Sequence, residues 1–148
     1  MAVATAMRRR REEDLLGAIK DALWRYEPVR SRSLPIEVTL ESDDAVGVHG
    51  NTPTRIIKES ILGLVGSIAG DQRVLDDLHA DPAIELKVAE ALATDPSTQH
   101  LAPGTIQVFA DLGNVVLVGS LEKADRAAAV RVAGAVPGVR RVVDRLES

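Results

Sequence analysis

The chain of 148 residues contains no cysteine, which excludes a disulfide framework, a thiolate nucleophile and a cysteine-ligated zinc site. Aromatic side chains are almost absent, since Trp24, Tyr26 and Phe109 form the complete set. Stacking platforms for nucleic-acid bases are therefore scarce. The core must be built from Val, Leu, Ile and Ala, which are abundant.

Long apolar runs are also missing, because no stretch approaches the roughly 18 apolar residues of a membrane-spanning helix. The first seven residues lead directly into Arg8–Arg11, whereas a secretory signal places its basic residues before a longer apolar segment. The net charge of -4 is mild and indicates no nucleic-acid partner. The sequence predicts a cytoplasmic protein whose membrane contact, where it occurs, is peripheral.

An internal repeat organises the chain. Three segments of the first half recur in the second half at an offset near 68 to 70 residues. The pairs are 19–28 with 88–96, 36–50 with 106–119, and 55–78 with 126–146. Each half therefore predicts one copy of the same folding unit.

Each copy shows the order helix, strand, strand, helix, strand. Apolar residues recur at three- and four-residue spacing in the first helix, and strand segments such as 36–40 and 106–110 alternate apolar with polar residues. We therefore predict an α+β fold of two tandem αββαβ units, each a three-stranded mixed sheet with two helices packed on one face. The predicted domains are 12–78 and 82–147.

Helix and strand ends are predicted from proline, glycine and acidic residues. Pro28 should end the first helix, and Asp81 should cap the helix that begins at Pro82. Gly70 and Gly138 should lie just past the second helix of each unit in a left-handed conformation. The last strands should then begin directly, at Arg73 and Val139.

Two hairpin turns and one central strand complete the prediction. Asp43–Asp44 and Gly113–Asn114 carry turn-forming residues between alternating segments. Residues 115–118, Val-Val-Leu-Val, are apolar on both faces and should lie inside the second sheet.

The segment VVLVGSLEKADRAAAVRVAGAVPGVRRVVDRL, residues 115–146, resembles the BON domain family (bacterial OsmY and nodulation domain). The family is marked by a glycine after the second strand, an Ala- and Val-rich helix, and Gly-Val before the last strand. Gly119 and Gly138 fit this pattern in the second unit. Gly50 and Gly70 fit it in the first unit, where Asp71 replaces the usual valine.

The resemblance implies a non-catalytic protein that binds phospholipid surfaces or other proteins and is associated with stress. It implies no cofactor. The family is associated with the cell envelope, whereas no export signal is seen in this sequence.

No catalytic or metal-binding pattern is found in the sequence. His49 lies in a predicted strand, and His79 and His100 lie in predicted connections, none with a carboxylate at ligand spacing on a shared face. The segment ILGLVGSI, residues 61–68, nearly matches the Gly-x-x-Gly loop of a KH domain but lacks its basic residue. Gly66 aligns with Gly134, so we interpret both as small residues for close helix packing and rank nucleic-acid binding as a distant third function.

Two groups of residues are candidate contacts for a phospholipid or protein partner. The first group is on the first helix and comprises Arg8, Arg9, Arg10, Arg11, Trp24, Arg25 and Tyr26. Its alternative interpretation is an unordered, solvated N-terminus with an aromatic side chain covering the core. The second group comprises Arg140, Arg141 and Arg145, of which Arg141 and Arg145 share one face of the last strand. Its alternative interpretation is edge-strand charge that opposes aggregation.

Two functional hypotheses follow. In the first, the arginines and Trp24 dock anionic phospholipid headgroups. In the second, the open sheet face or the last strand, with Val139, Val142 and Val143, pairs with a protein partner or with another copy of the chain.

Overall fold

The computed structural model describes residues 2–42 and 44–148. The chain divides into two compact units. The first unit contains the residues up to Gly50 together with Arg55–Leu78, and the second contains Asn51–Thr54 together with His79–Ser148. Asp43, one of the two residues predicted to form the first hairpin turn, lies outside the described residues.

Among the described residues up to Ala80, three helices and three strands follow one another. They are α1 (Ala2–Arg25), α2 (Glu27–Arg32), β1 (Ile36–Ser42), β2 (Ala45–Thr52), α3 (Arg55–Ala69) and β3 (Arg73–Ala80). The strand order is β1-β2-β3, with β1 antiparallel to β2 in a mixed sheet. The KH-like segment lies within α3 and forms no loop.

Helix α1 is longer than the apolar pattern predicts. Its apolar face is as expected, since Ile19 and Leu23 are buried and Leu15 is half-buried. However, the helix begins at Ala2 and includes Arg8–Arg11, so the alternative of an unordered N-terminus is wrong. An ion pair between Arg8 and Glu12, four residues apart and 3.5 Å between Nε and Oε1, supports this first part of the helix.

Pro28 does separate two elements, but it also starts a new helix. The backbone of Tyr26 is extended, with φ -73° and ψ 114°, so α1 ends before this residue. Proline has no backbone N–H to donate, which costs nothing in the first turn of a helix. Pro28 therefore occupies the first turn of α2, a helix that the sequence analysis did not predict.

The second unit contains two helices and three strands. They are α4 (Asp81–Thr94), β4 (Ile106–Asp111), β5 (Asn114–Ser120), α5 (Lys123–Gly134) and β6 (Arg141–Glu147). Strand β5 lies in the middle, antiparallel to β4 and parallel to β6. The prediction that residues 115–118 lie inside the sheet is confirmed.

Both helices of the second unit pack on the same face of its sheet. The core is one cluster of buried apolar side chains from α4, α5 and the sheet: Ile84, Val88, Leu92, Val115, Leu117, Leu121, Ala129, Val132, Ala133, Val136 and Leu146. The predicted α+β fold of two αββαβ-like units with three-stranded mixed sheets is therefore confirmed.

The last strand of each unit is tied to the preceding helix in the same way. An aspartate on the strand accepts the backbone N–H two residues further on, at 2.9 Å in both units, and pairs with a basic side chain of the helix. The two sets are Asp76 with Leu78 and Lys58, and Asp144 with Leu146 and Arg126. The hydrogen bond from Arg126 holds the pKa of Asp144 below its usual value.

The predicted role of Asp81 as a helix cap is wrong. Ala80 is the N-cap of α4 and makes no side-chain hydrogen bond, while Asp81 is the first helical residue and is buried. Its carboxylate instead accepts the backbone N–H of Leu112 at 2.7 Å and that of Gly113 at 3.0 Å. Asp81 therefore fixes the turn between β4 and β5.

That turn lies one residue earlier than predicted. Leu112 and Gly113 are its two central residues, with φ of 48° and 83°, and Asn114 is already the first residue of β5. Two positive φ values in a two-residue loop are the pattern of a type I′ hairpin, whose twist matches that of the strands.

The two glycines that follow the second helices differ in position. Gly70 follows α3 directly with φ 64°, and its N–H bonds to the carbonyl of Gly66, as predicted. Gly138 has φ 94° but lies four residues beyond the end of α5, and β6 begins at Arg141 instead of Val139. A turn therefore separates α5 from β6.

Candidate interaction surfaces

The sheet of the second unit has one face turned away from its helices. Because side chains alternate along a strand, the residues next to those that contact the core point to the opposite side. Strand pairing places Phe109, Val116 and Val143 in one row across the three strands on this side. Arg141 and Arg145 flank Val143 on β6. We call these five residues the arginine face.

The arginine face is apolar along its middle row and basic on its β6 side. Phe109 is 53% exposed, while Val116 and Val143 are half-buried. Arg141 and Arg145 are exposed, and neither forms an ion pair within the described residues. Two carboxylates share the side, Asp111 at the hairpin end and Glu147 at the end of β6. This surface combines exposed apolar area with free guanidinium groups.

The three arginines predicted as one cluster are not equivalent. Arg140 precedes β6, its backbone N–H donates to the carbonyl of Gly113 at 2.8 Å, and its side chain reaches the carbonyl of Leu112. It supports the hairpin turn. Of the valines predicted to accompany the arginines, only Val143 lies on their face, because Val139 and Val142 pack against the core.

The corresponding face of the first sheet carries carboxylates and one arginine, Arg73, which pairs with Asp44 at 3.6 Å. Glu37 and Glu41 on β1 and Asp77 on β3 are exposed, and Asp77 and Glu41 both contact His49 on β2. Leu75, on the same side of β3 as Asp77, is 40% exposed. We call Glu37, Glu41 and Asp77 the acidic face.

His49 lies between two of these carboxylates, an arrangement that the sequence analysis missed. Its Nδ1 is 2.9 Å from Asp77 Oδ2, and its Nε2 is 2.9 Å from Glu41 Oε1. The hydrogen bond to Asp77 is the main reason that the pKa of His49 is raised above its usual value. Thr39 Oγ1 also donates to Glu41 Oε1 at 2.6 Å. The polar residues 37, 39 and 41 were a signal for such a face, but their contact with His49 depends on strand pairing.

Gly47 makes room for this cluster. A Cβ atom at this position would lie against Glu41 Oε1 and within 2.8 Å of His49 Nε2. The two side chains can therefore lie across the surface of the sheet above Gly47.

The other two histidines lie elsewhere in the structure. His79 lies at the end of β3 and not in a connection as predicted, and His100 lies in a turn. His100 Nε2 is 3.0 Å from Asp125 Oδ1 on the surface. Within residues 2–42 and 44–148, no group of His, Asp or Glu side chains has an arrangement that could hold a metal ion.

The arginines of α1 do not form one patch. Successive residues of an α-helix are rotated by about 100°, so Arg8, Arg9, Arg10 and Arg11 point to all sides of the helix. All four are exposed. Trp24 lies within about 60° of Arg9 and Arg10 on the helix and is some 21 Å further along the axis.

Trp24 does not cover the core. It is 64% exposed, and it lies at a groove of about 380 Å³ whose lining includes Leu23, Val29 and Leu34. Tyr26 is half-buried and Arg25 is exposed. Of the three residues predicted together at the end of this helix, Trp24 and Arg25 are therefore exposed, and Tyr26 is half-buried.

Two glycines of the predicted pattern are required by close backbone approach. A Cβ atom at Gly50 would collide with the carbonyl oxygen of Pro35, and one at Gly119 with that of Thr105. Their φ values of 136° and 158° are also unfavourable for other residues. By contrast, a Cβ atom at Gly66 would meet no neighbouring atom within 4 Å, so the predicted role of Gly66 in close helix packing is wrong.

Comparison with family models finds a BON domain match at residues 80–148. This is the second unit of the fold, which includes the arginine face, Gly119 and Gly138. The resemblance predicted for this half of the chain is confirmed.

Comparison with the curated proteins finds no match. Among solved structures, the chain is similar to CdsD, a structural protein of the type III secretion system of Chlamydia trachomatis, with 14% identity and a TM-score of 0.40. That likeness covers 90% of this chain and 91% of the chain in the solved CdsD structure. For a structure of the CdsD C-terminal domain, identity is 13%, the TM-score is 0.34, and coverage is 82% of this chain and 96% of that domain.

The helices within residues 2–42 and 44–148 were compared with membrane-spanning helices in length and apolar character. None of them has the length and apolar character needed to cross a membrane.

Proposed function

We propose that the chain is a non-catalytic binding and assembly module that docks a protein partner on the arginine face of its BON domain. The observation that carries the proposal is the row of Phe109, Val116 and Val143, exposed beside two arginines that form no ion pair among the described residues. Aromatic and arginine side chains are the residues most enriched where protein interfaces bind most strongly. The cytoplasmic location and the stress-associated role remain predictions.

We further propose that the first unit is a divergent BON-like domain, spanning residues 12–78, with its counterpart at 82–147. Support comes from the shared strand order and from the matching aspartates, Asp76 and Asp144. Gly50 and Gly119, which stand opposite Ile36 and Ile106 in the strand pairings, add a second correspondence.

Cross-linking in living cells tests the docking surface. Phe109 is replaced by the photoreactive residue p-benzoylphenylalanine, and we expect discrete covalent adducts after irradiation. The same chain carrying Arg141→Glu and Arg145→Glu should lose these adducts, because the partner would no longer be attracted to the face. Leu86, 61% exposed on α4, provides the control position for the same probe. Equal adducts at positions 86 and 109, or no adducts at 109, would contradict the proposal.

A second candidate function is peripheral binding to an anionic membrane through α1. The exposure of Trp24 favours it, because tryptophan beside basic residues is typical of membrane interfaces. The expected result is that the protein floats with vesicles of phosphatidylglycerol and phosphatidylcholine at low salt and is released at high salt. Arg9→Glu with Arg10→Glu, on the side of Trp24, should abolish flotation. Equal binding to pure phosphatidylcholine vesicles, or no binding, would rule out this function.

A further inference from the structure

The edge strands of the two sheets carry opposite charges at the same spacing. Glu37 and Glu41 are four residues apart on β1, and Arg141 and Arg145 are four residues apart on β6. Each pair lies on one face of its strand, which separates its members by about 13 Å. Both strands are at the edge of their sheets. The two glutamates of one chain can therefore face the two arginines of another chain at the same time.

From this match we infer that the chain assembles head to tail with further copies of itself, the acidic face of one copy packing on the arginine face of the next. The inference rests on the proposed function and names its partner. The contact joins two different faces, so it is heterologous, and heterologous contacts build rings or filaments.

The charges favour this arrangement over a symmetric dimer. Two acidic faces, or two arginine faces, would place like charges opposite each other, which opposes association. Asp111 and Glu147 lie at two corners of the arginine face, and Asp111 is two strands away from Arg141. Glu147 follows Arg145 on the same side of β6, yet neither Arg141 nor Arg145 forms an ion pair within the described residues.

The apolar residues complete the contact. With β6 of one copy over β1 of the next, β4 lies over β3, which places Phe109 above the strand that carries Leu75. Both side chains are among the exposed large apolar residues of the chain. Phe109 and Leu75 would be buried on the side of the contact opposite the two arginine–glutamate pairs, so the interface would combine an apolar part with a charged part.

The acidic face is ordered before binding. Glu41 is held by His49 and by Thr39, and Asp77 is held by His49, yet their side chains remain 40% and 58% exposed. Carboxylates fixed in place lose less conformational entropy when a partner arrives. A face three strands wide is nevertheless small, so we expect weak, concentration-dependent assembly.

Sedimentation velocity of the purified chain over a range of concentrations tests the inference. We expect oligomers at low salt, and a loss of affinity of about tenfold or more in either of two charge-reversed chains. One carries Glu37→Arg with Glu41→Arg, and the other carries Arg141→Glu with Arg145→Glu. A chain with all four changes should assemble again, because the charges are exchanged and remain complementary.

The control changes the charge by a comparable amount on the helix side of the second unit, away from the arginine face. Lys87→Glu with Lys123→Glu replaces two exposed lysines of α4 and α5 and should leave assembly unchanged. A wild-type chain that stays monomeric at every concentration, or a fourfold variant that fails to recover, overturns the inference. If Phe109 cross-links to a different protein in cells while the purified chain is monomeric, the proposed function stands and the self-assembly fails.

Discussion

Replacing Gly119 by alanine is expected to destabilise the second unit by about 3 kcal/mol, which lowers its midpoint of thermal unfolding by roughly 15 °C. The added Cβ would collide with the carbonyl oxygen of Thr105, which belongs to the backbone and cannot rotate away. The φ of 158° adds backbone strain. Because Gly119 lies in the central strand, relief of the collision requires β4 and β5 to separate. Circular dichroism during heating measures the effect.

Gly134→Ala is the matched control in the same unit. Its Cβ would meet only Val142 Cγ2, at an ordinary contact distance of 3.6 Å, and the residue ends a helix. This variant should unfold near the temperature of the wild type. Equal stability of Gly119→Ala and Gly134→Ala would show that the approach of Thr105 to Gly119 is not rigid.

Asp81→Ala is expected to cost a similar amount, about 3 kcal/mol. The change removes the acceptor of two backbone N–H groups, those of Leu112 and Gly113, in a part of the unit where Asp81 itself is only 5% exposed. It also removes a negative charge from the first turn of α4, where it interacts favourably with the helix dipole. Chemical denaturation measures the loss, and Asp81→Asn should fall between alanine and wild type.

Asp111→Ala provides the comparison, because this exposed carboxylate lies next to the same turn. Its removal should change the free energy of unfolding by less than about 0.5 kcal/mol. If Asp81→Ala proves as mild as Asp111→Ala, water satisfies the turn without the carboxylate, and Asp81 does not fix the hairpin.

The fold was predictable because its signals are local or repeated. Alternation at residues 36–40 and 106–110 and the apolar residues 115–118 each follow from the geometry of a strand in a sheet. The repeat then supported the predicted order of helices and strands a second time, because each half of the sequence predicts the same order. The second helix after Pro28 escaped prediction because proline ends one helix and begins another by the same chemistry.

Two of the errors concern residues whose partners are distant in sequence. Asp81 has the sequence position of a helix cap, but its carboxylate reaches a turn some 30 residues later. His49 contacts Asp77, 28 residues away, only because β2 and β3 are neighbours. Such pairings depend on how strands align, and the identity of the residues alone does not specify this alignment.

The sequence predicted the arginines of the arginine face but not its aromatic residue. Alternation correctly assigned Arg141 and Arg145 to a common face, since it needs only their separation along one strand. Phe109 was not selected, because its place beside them requires the antiparallel pairing of β4 with β5. The acidic face, built from β1 and β3, was likewise beyond the reach of a single segment.

Because aromatic residues are scarce, the two units differ in their fluorescence. Trp24 and Tyr26 belong to the first unit, and Phe109 is the single aromatic residue of the second. Indole fluorescence therefore follows the melting of the first unit alone, while circular dichroism records helices and strands of both. When both signals are recorded in one melting experiment, a change in circular dichroism without a change in fluorescence reports the unfolding of the second unit. No label or added chromophore is needed.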